Sequence, residues 1–248
     1  MPRLGLIGGT GLDHWGATTS SHTIHSRYGQ TSADLAEYRV GDLDLFFLPR
    51  HGTRHNIPPH AVNYRANIDA FRQLGVDGII AVNAVGGITA NHQPGTLSIP
   101  DQLIDYTWGR AHSFSLTADD ELAHIEFAGP FDGQVRSMLL KAAEVANIAV
   151  ADSACIGVTQ GPRLETAAEI RRFMRDGCDQ VGMTSMPEAA LAREAGLDYA
   201  CLCINANLAA GLEEEPVSME AIEATLEDAM IRVRSLLGVF FKEFSNVS

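Results

Sequence analysis

Four short patches carry most of the polar chemistry this 248-residue chain can offer. Gly8-Gly9-Thr10-Gly11 is a glycine turn whose backbone N–H groups and threonine hydroxyl can hold an oxyanion, and Arg50-His51-Gly52 adds the charge of an arginine and a histidine. Farther along, Gly161-Pro162-Arg163-Leu164-Glu165-Thr166 supplies a carboxylate, and Asn205 and Asn207 supply amides at the end of an apolar run. A carboxylate accepts from N–H, and an amide both donates and accepts. The second pair of patches therefore suits a heterocycle with a ring N–H beside a carbonyl, such as a 6-oxopurine. An oxyanion held beside a purine suggests cleavage of a nucleoside by phosphate.

The elements that must position these residues follow from hydrophobic patterning. Residues 4–7 and 43–48 are apolar runs that end in the two anion patches, so both patches sit just past strand ends. Residues 63–74 show helical spacing at Ile68, Phe71 and Leu74 and stop at Gly75. A buried strand over 78–82 is expected to run into a third loop, Asn83-Ala84-Val85-Gly86-Gly87. Helices are expected over 138–146, 166–174 and 188–195, strands over 180–183 and 199–205, and a long amphipathic helix over 218–244, interrupted near Gly238. Strands alternating with helices, with no linker or repeat, argue for one α/β domain over 1–248 with ligands outside the strand ends.

Composition narrows the partners. A formal charge of -13 argues against a broad nucleic-acid or anionic-membrane surface, while leaving room for a small basic anion pocket. Cys155, Cys178, Cys201 and Cys203 lack CxxC spacing and read as reduced core residues. The first residues run straight into a glycine turn and do not resemble a signal peptide, and no apolar stretch is long enough to span a bilayer. A cytoplasmic location is the expectation.

Taken together, Gly8-Gly9-Thr10-Gly11-Leu12, Arg50-His51-Gly52, Val62-Asn63-Tyr64-Arg65-Ala66-Asn67-Ile68, Asn83-Ala84-Val85-Gly86-Gly87, Gln93-Pro94-Gly95, Gly161-Pro162-Arg163 and Met183-Thr184-Ser185-Met186-Pro187-Glu188 resemble the trimeric purine nucleoside phosphorylase and methylthioadenosine phosphorylase family. The resemblance covers nearly the whole chain in order. It implies a mixed, barrel-like sheet ringed by helices, and a homotrimer, alone or doubled into a hexamer, with active sites near subunit boundaries. It also implies catalysis without a metal or organic cofactor, with inorganic phosphate as cosubstrate. Position by position, the resemblance places Thr10, Arg50, His51, Ala84 and Thr184 around phosphate, and Met183 under the ribose. Val85, Gly86, Leu164, Glu165, Asn207 and Ala209 would face the base and sugar. Alone, Thr10 could simply cap the following segment, His51 need not be functional, and Glu165 could be a surface residue opening a helix.

Substrate choice turns on two regions. Methylthioadenosine phosphorylases that resemble this chain carry serine where Glu165 stands and aspartates where Asn207 and Ala209 stand, whereas 6-oxopurine phosphorylases carry glutamate and asparagine. Ionised Glu165 pairs with hypoxanthine N1–H and repels the bare N1 acceptor of adenine. At the sugar 5′ position, Val217, Met219 and Ile222 are apolar, and inosine phosphorylases have a histidine where Ile222 aligns. An apolar wall accepts a thiomethyl group and leaves a hydroxyl without a partner. The stretch from His124 to Phe131 also resembles the methylthioadenosine branch, in which His124 and Phe127 would reach a neighbouring subunit's 5′ pocket.

The expected reaction is phosphorolysis of S-methyl-5′-thioinosine to hypoxanthine and 5-methylthioribose 1-phosphate, with Asn207, His51 and Glu165 as the catalytic set. Alternatives are an inosine or guanosine phosphorylase, a methylthioadenosine phosphorylase, a nucleoside-binding protein, or a histidine phosphatase suggested by Arg50-His51-Gly52-Thr53-Arg54. The last leaves the Gly161 and Met183 patches unexplained. The N-terminal turn fails the GxGxxG spacing of nicotinamide-binding folds.

Overall fold

A computed structural model describes residues 1–9, 12, 15, 18–115, 117, 120, 122–213 and 218–245. In chain order the elements are β1 (Arg3–Gly8), β2 (Thr18–His22), β3 (Leu35–Val40), β4 (Leu43–Pro49), α1 (Tyr64–Leu74), β5 (Gly78–Gly87), β6 (Leu97–Ser98), β7 (Gln102–Asp105), α2 (Gln134–Val145), β8 (Val150–Ala151), β9 (Cys155–Val158), α3 (Ala167–Arg175), β10 (Gln180–Gly182), α4 (Ser185–Glu194), β11 (Asp198–Leu208) and α5 (Met219–Ser245). Among these residues no helix is long and apolar enough to cross a membrane.

The strands form one mixed sheet that branches at β5. The first half of β5 lies between β1 and β11, all parallel, while its last two residues pair with antiparallel β10. Because the parallel strands are covered on both faces, they read as unbroken apolar runs. Their side chains still alternate. Leu4, Leu6, Leu45, Phe47, Ile80, Val82, Leu202 and Ile204 pack with Leu139 of α2 and Leu236, Leu237, Phe240 and Phe241 of α5. Ile7, Phe46, Leu48, Ile79, Ala81, Cys201 and Cys203 pack with Ile68 and Phe71 of α1 and Ala189 and Leu191 of α4. Each fully buried leucine, isoleucine or phenylalanine among them contributes roughly 1.5–3 kcal/mol. All four cysteines are free thiols, three of them buried.

Two helices are fixed by local signals. Asn63 caps α1 by accepting from the Ala66 N–H, and Gly75 ends it at φ 64°, a left-handed conformation that glycine adopts without strain. Thr166 and Glu169 form a reciprocal capping box at α3. Glu169 also receives Arg163 at 2.8 and 2.9 Å, and that guanidinium holds its carboxyl down to about 2.

The structure corrects several sequence expectations. The segment Asn83–Gly87 is not a loop: it continues β5, paired residue by residue with β11. In turn β11 runs past residue 205 to Leu208, with a bulge between Asn205 and Asn207. α5 continues unbroken through Gly238. α2 begins at Gln134, before the expected 138, because the Asp198 carboxylate of β11 accepts from the Val135 N–H at 2.8 Å.

Candidate active site

A cavity of about 740 Å³ opens over the second halves of β5 and β11 and past the ends of β4 and β10. Arg50, His51, Ala84, Val85, Gly86, Leu164, Glu165, Met183, Thr184, Asn207, Ala209, Met219 and Ile222 all line it. Residues distant in sequence are therefore brought to one cavity. Thr10 and Val217 lie outside the described residues.

At one end, Arg50 follows β4 and is almost wholly buried. Its Nε and Nη2 donate to the two carboxylate oxygens of Glu188, each at 2.8 Å, and Nη1 donates to the Val82 carbonyl at 3.3 Å. The Tyr199 hydroxyl donates to the same carboxylate at 2.8 Å. Burial works against the guanidinium charge, but the Glu188 carboxylate more than offsets this and holds Arg50 above its ordinary range. Three of the five guanidinium N–H groups are committed, which leaves two for an anion.

His51 departs from expectation. Its Nδ1 lies 2.8 Å from the Ile57 carbonyl, which can only accept, so Nδ1 carries the hydrogen and Nε2 presents a lone pair. Burial, reinforced by the charge of Arg50, pushes the imidazole down to about 4. His51 is thus neutral near pH 7 and does not add the positive charge read from sequence. An acceptor in this position suits the P–OH hydrogen that phosphate retains at neutral pH.

Ala84 is exposed within an otherwise buried stretch of β5, since it faces the cavity. Thr184, nearly buried, donates to Asn83 Oδ1 at 3.3 Å, while Asn83 Nδ2 reaches Ser185 Oγ at 3.2 Å.

At the opposite end, Asn207 Nδ2 donates to the Leu208 carbonyl at 2.6 Å, which fixes the amide and leaves Oδ1 as an acceptor. The bulge in β11 sets Asn207 beside Gly86, where an added Cβ would come within 3.3 Å of Val181, 3.4 Å of Ala209 and 3.5 Å of Asn207 Nδ2. Glycine there keeps the strand face open for a flat ring. The Glu165 carboxylate accepts from the Thr159 hydroxyl at 2.6 Å. Asn205, grouped with Asn207 on sequence grounds, is a framework residue: fully buried, it donates from Nδ2 to the Thr96 carbonyl and hydroxyl at 3.3 and 3.1 Å.

Met219, Ile222, Leu226 and Met230 of α5 form an apolar stripe along the cavity. Leu226 and Met230 escaped the sequence reading, although their four-residue spacing from Ile222 continues one helix face. The loop 55–59, also missed, closes the cavity through His55, Asn56, Ile57, Pro58 and Pro59. His124 and Phe127 do not line the cavity of their own chain: His124 is exposed, and Phe127 lies under the Arg193 guanidinium, 6.0 Å from its ring centre.

Known proteins are similar to this chain over most of its length. The family model of the Phosphorylase superfamily matches residues 3–242. The chain belongs to the phosphorylase superfamily. Within it, a Xanthomonas campestris pv. campestris protein named probable S-methyl-5′-thioinosine phosphorylase is 46% identical over 241 residues, covering 95% of each chain. A Xylella fastidiosa protein of the same name is 50% identical over 213 residues, 84% of this chain and 89% of the relative. A solved superfamily member, methylthioadenosine phosphorylase from Schistosoma mansoni in complex with adenine, superposes with a TM-score of 0.92 at 32% identity, covering 97% of this chain and 91% of that one. The α/β architecture, a large mixed sheet flanked by helices, is thus that of the superfamily's phosphorylases.

Proposed function

We propose that this chain cleaves S-methyl-5′-thioinosine with inorganic phosphate, releasing hypoxanthine and 5-methylthioribose 1-phosphate. The observation that carries the reading is one cavity with a carboxylate and an amide, Glu165 and Asn207, at one end and the apolar stripe Ile222, Leu226 and Met230 along α5. The names of the Xanthomonas and Xylella relatives point the same way.

In this reading Arg50, His51, Thr184, the Ala84 backbone and Thr10 hold phosphate, and Met183 underlies the ribose. The glycosidic bond lengthens first, positive charge grows on the sugar ring, and a phosphate oxygen captures the anomeric carbon. Glu165 accepts from N1–H of the base. Asn207 Oδ1 accepts from N7–H as the departing purine takes up charge and, from solvent, a proton. Groups aligned with developing charge commonly contribute about 3 kcal/mol each. Protein side chains and phosphate suffice for this chemistry, with no metal or organic cofactor. The enzyme is read as a cytoplasmic homotrimer, single or doubled, in which His124 and Phe127 complete a neighbouring subunit's 5′ pocket.

Chromatographic identification of products from methylthioinosine and phosphate tests the proposal. Hypoxanthine with 5-methylthioribose 1-phosphate in equal amounts supports it. Free 5-methylthioribose formed without phosphate contradicts it, because that is hydrolysis.

A further inference from the structure

We infer that Thr159 is the positioning residue that fixes Glu165 for selection of a 6-oxopurine over a 6-aminopurine, an inference that rests on the proposed base site. Thr159 does not line the cavity, yet its hydroxyl lies 2.6 Å from Glu165 Oε1. That length is typical of a hydroxyl donating to a carboxylate, a class of bond about twice as strong as a neutral one. The hydroxyl has a single hydrogen, and its alternative acceptor, the Gly182 carbonyl, is farther at 3.4 Å.

Thr159 is itself held. It is nearly buried one residue past β9, and its N–H donates to the Gly182 carbonyl of β10 at 2.8 Å. The anchor is therefore sheet backbone, whereas Glu165 sits half-exposed in the loop before α3. A glutamate in a loop has three side-chain torsions to order, and disorder there would let the carboxylate turn away from the base. With Oε1 occupied by Thr159, Oε2 is the oxygen left for the N1–H of hypoxanthine. Adenine presents an acceptor at N1, so a carboxylate held in that orientation repels it. Among the described residues, Thr159 is the side chain that hydrogen-bonds the Glu165 carboxylate.

The test compares Thr159→Val, Thr159→Ser and Glu165→Gln with the parent protein, measuring KM and kcat for methylthioinosine and Kd for hypoxanthine, adenine and inorganic phosphate. Thr159→Val keeps the shape and removes the hydroxyl. It should weaken hypoxanthine about tenfold, leave phosphate binding unchanged, narrow the hypoxanthine-to-adenine preference and act mainly on KM. Thr159→Ser should restore each of these. An unchanged preference in Thr159→Val, or an equal weakening of hypoxanthine and phosphate, overturns the inference, the latter because it marks general structural damage. If Glu165→Gln lowers hypoxanthine affinity while Thr159→Val does not, only the role of Thr159 fails. If neither variant moves the base preference, the base site itself is misassigned.

Discussion

Arg50 and Glu188 meet through two parallel hydrogen bonds of 2.8 Å in a place where both side chains are shielded from water. The pair joins the end of β4 to α4, so the cation lining the cavity is positioned by a carboxylate from another element. Removing one partner of a buried ion pair leaves the other charge uncompensated, at about 3–5 kcal/mol. Glu188→Gln retains the shape, so a loss on the order of 3 kcal/mol is expected, together with a raised KM for phosphate. Denaturant unfolding and phosphate titration check this, and a variant unchanged in both would show that Arg50 is held by other means.

The pH dependence of stability follows from His51. An unfolded imidazole takes up its proton near 6.5, whereas the folded one, depressed by burial and Arg50, waits until about 4. Between those values the unfolded state binds more protons, so the contribution of His51 is fully present above about 6.5 and is lost as pH falls towards 4. His51 is partly solvated, which limits the loss to about 2 kcal/mol. The unfolding free energy of the parent minus that of His51→Asn should fall by about 2 kcal/mol from pH 7 to 4. A constant gap would mean that His51 titrates normally.

The apolar stripe of α5 makes a prediction about the sugar. Ile222→His introduces a donor where a 5′-hydroxyl would lie, and Leu226 and Met230 remain to hold the helix face. The ratio of kcat/KM for inosine to that for methylthioinosine should rise at least about tenfold, the scale expected when a hydroxyl finds a hydrogen-bond partner and a thiomethyl group is deprived of apolar cover. Steady-state kinetics on both nucleosides decide it, and an unmoved ratio would remove Ile222 from the 5′ pocket.

Much of this site was legible because its signals are local. The apolar run over 43–48 that ends at Arg50-His51-Gly52, and the helical spacing over 63–74 that stops at Gly75, both speak within a few residues. What escaped depends on pairing across the chain. Asn83–Gly87 contains two glycines and looks like a loop, yet β11 zips it into strand, and the same pairing produces the bulge that separates Asn207 from Asn205. β2 was missed because Thr18–His22 is polar and half-exposed, and β6 and β8 are two residues each. The neutral state of His51 depends on burial beside the Arg50 charge, and its tautomer on the Ile57 carbonyl, an arrangement that a residue list does not reveal. Thr159 stands six residues before Glu165, and only the turn that follows β9 brings the two together.

Base choice should follow three side chains. Glu165→Ser combined with Asn207→Asp and Ala209→Asp converts the base end to the pattern of adenine-specific enzymes, and preference should move towards methylthioadenosine. Asn207→Ala alone should lower kcat by about 100-fold, the scale of one aligned partner of the departing base, with phosphate affinity unchanged. Turnover that survives Asn207→Ala would exclude the amide from the mechanism, and a triple variant that still prefers the inosine analogue would refute the account of base choice.

The most direct measurement is initial base release from methylthioinosine, inosine and methylthioadenosine, each with and without inorganic phosphate. The account predicts phosphate-dependent release of hypoxanthine, fastest from methylthioinosine. Faster release from inosine would contradict the apolar 5′ wall, faster release of adenine would contradict the roles of Glu165 and Asn207, and release independent of phosphate would contradict phosphorolysis itself.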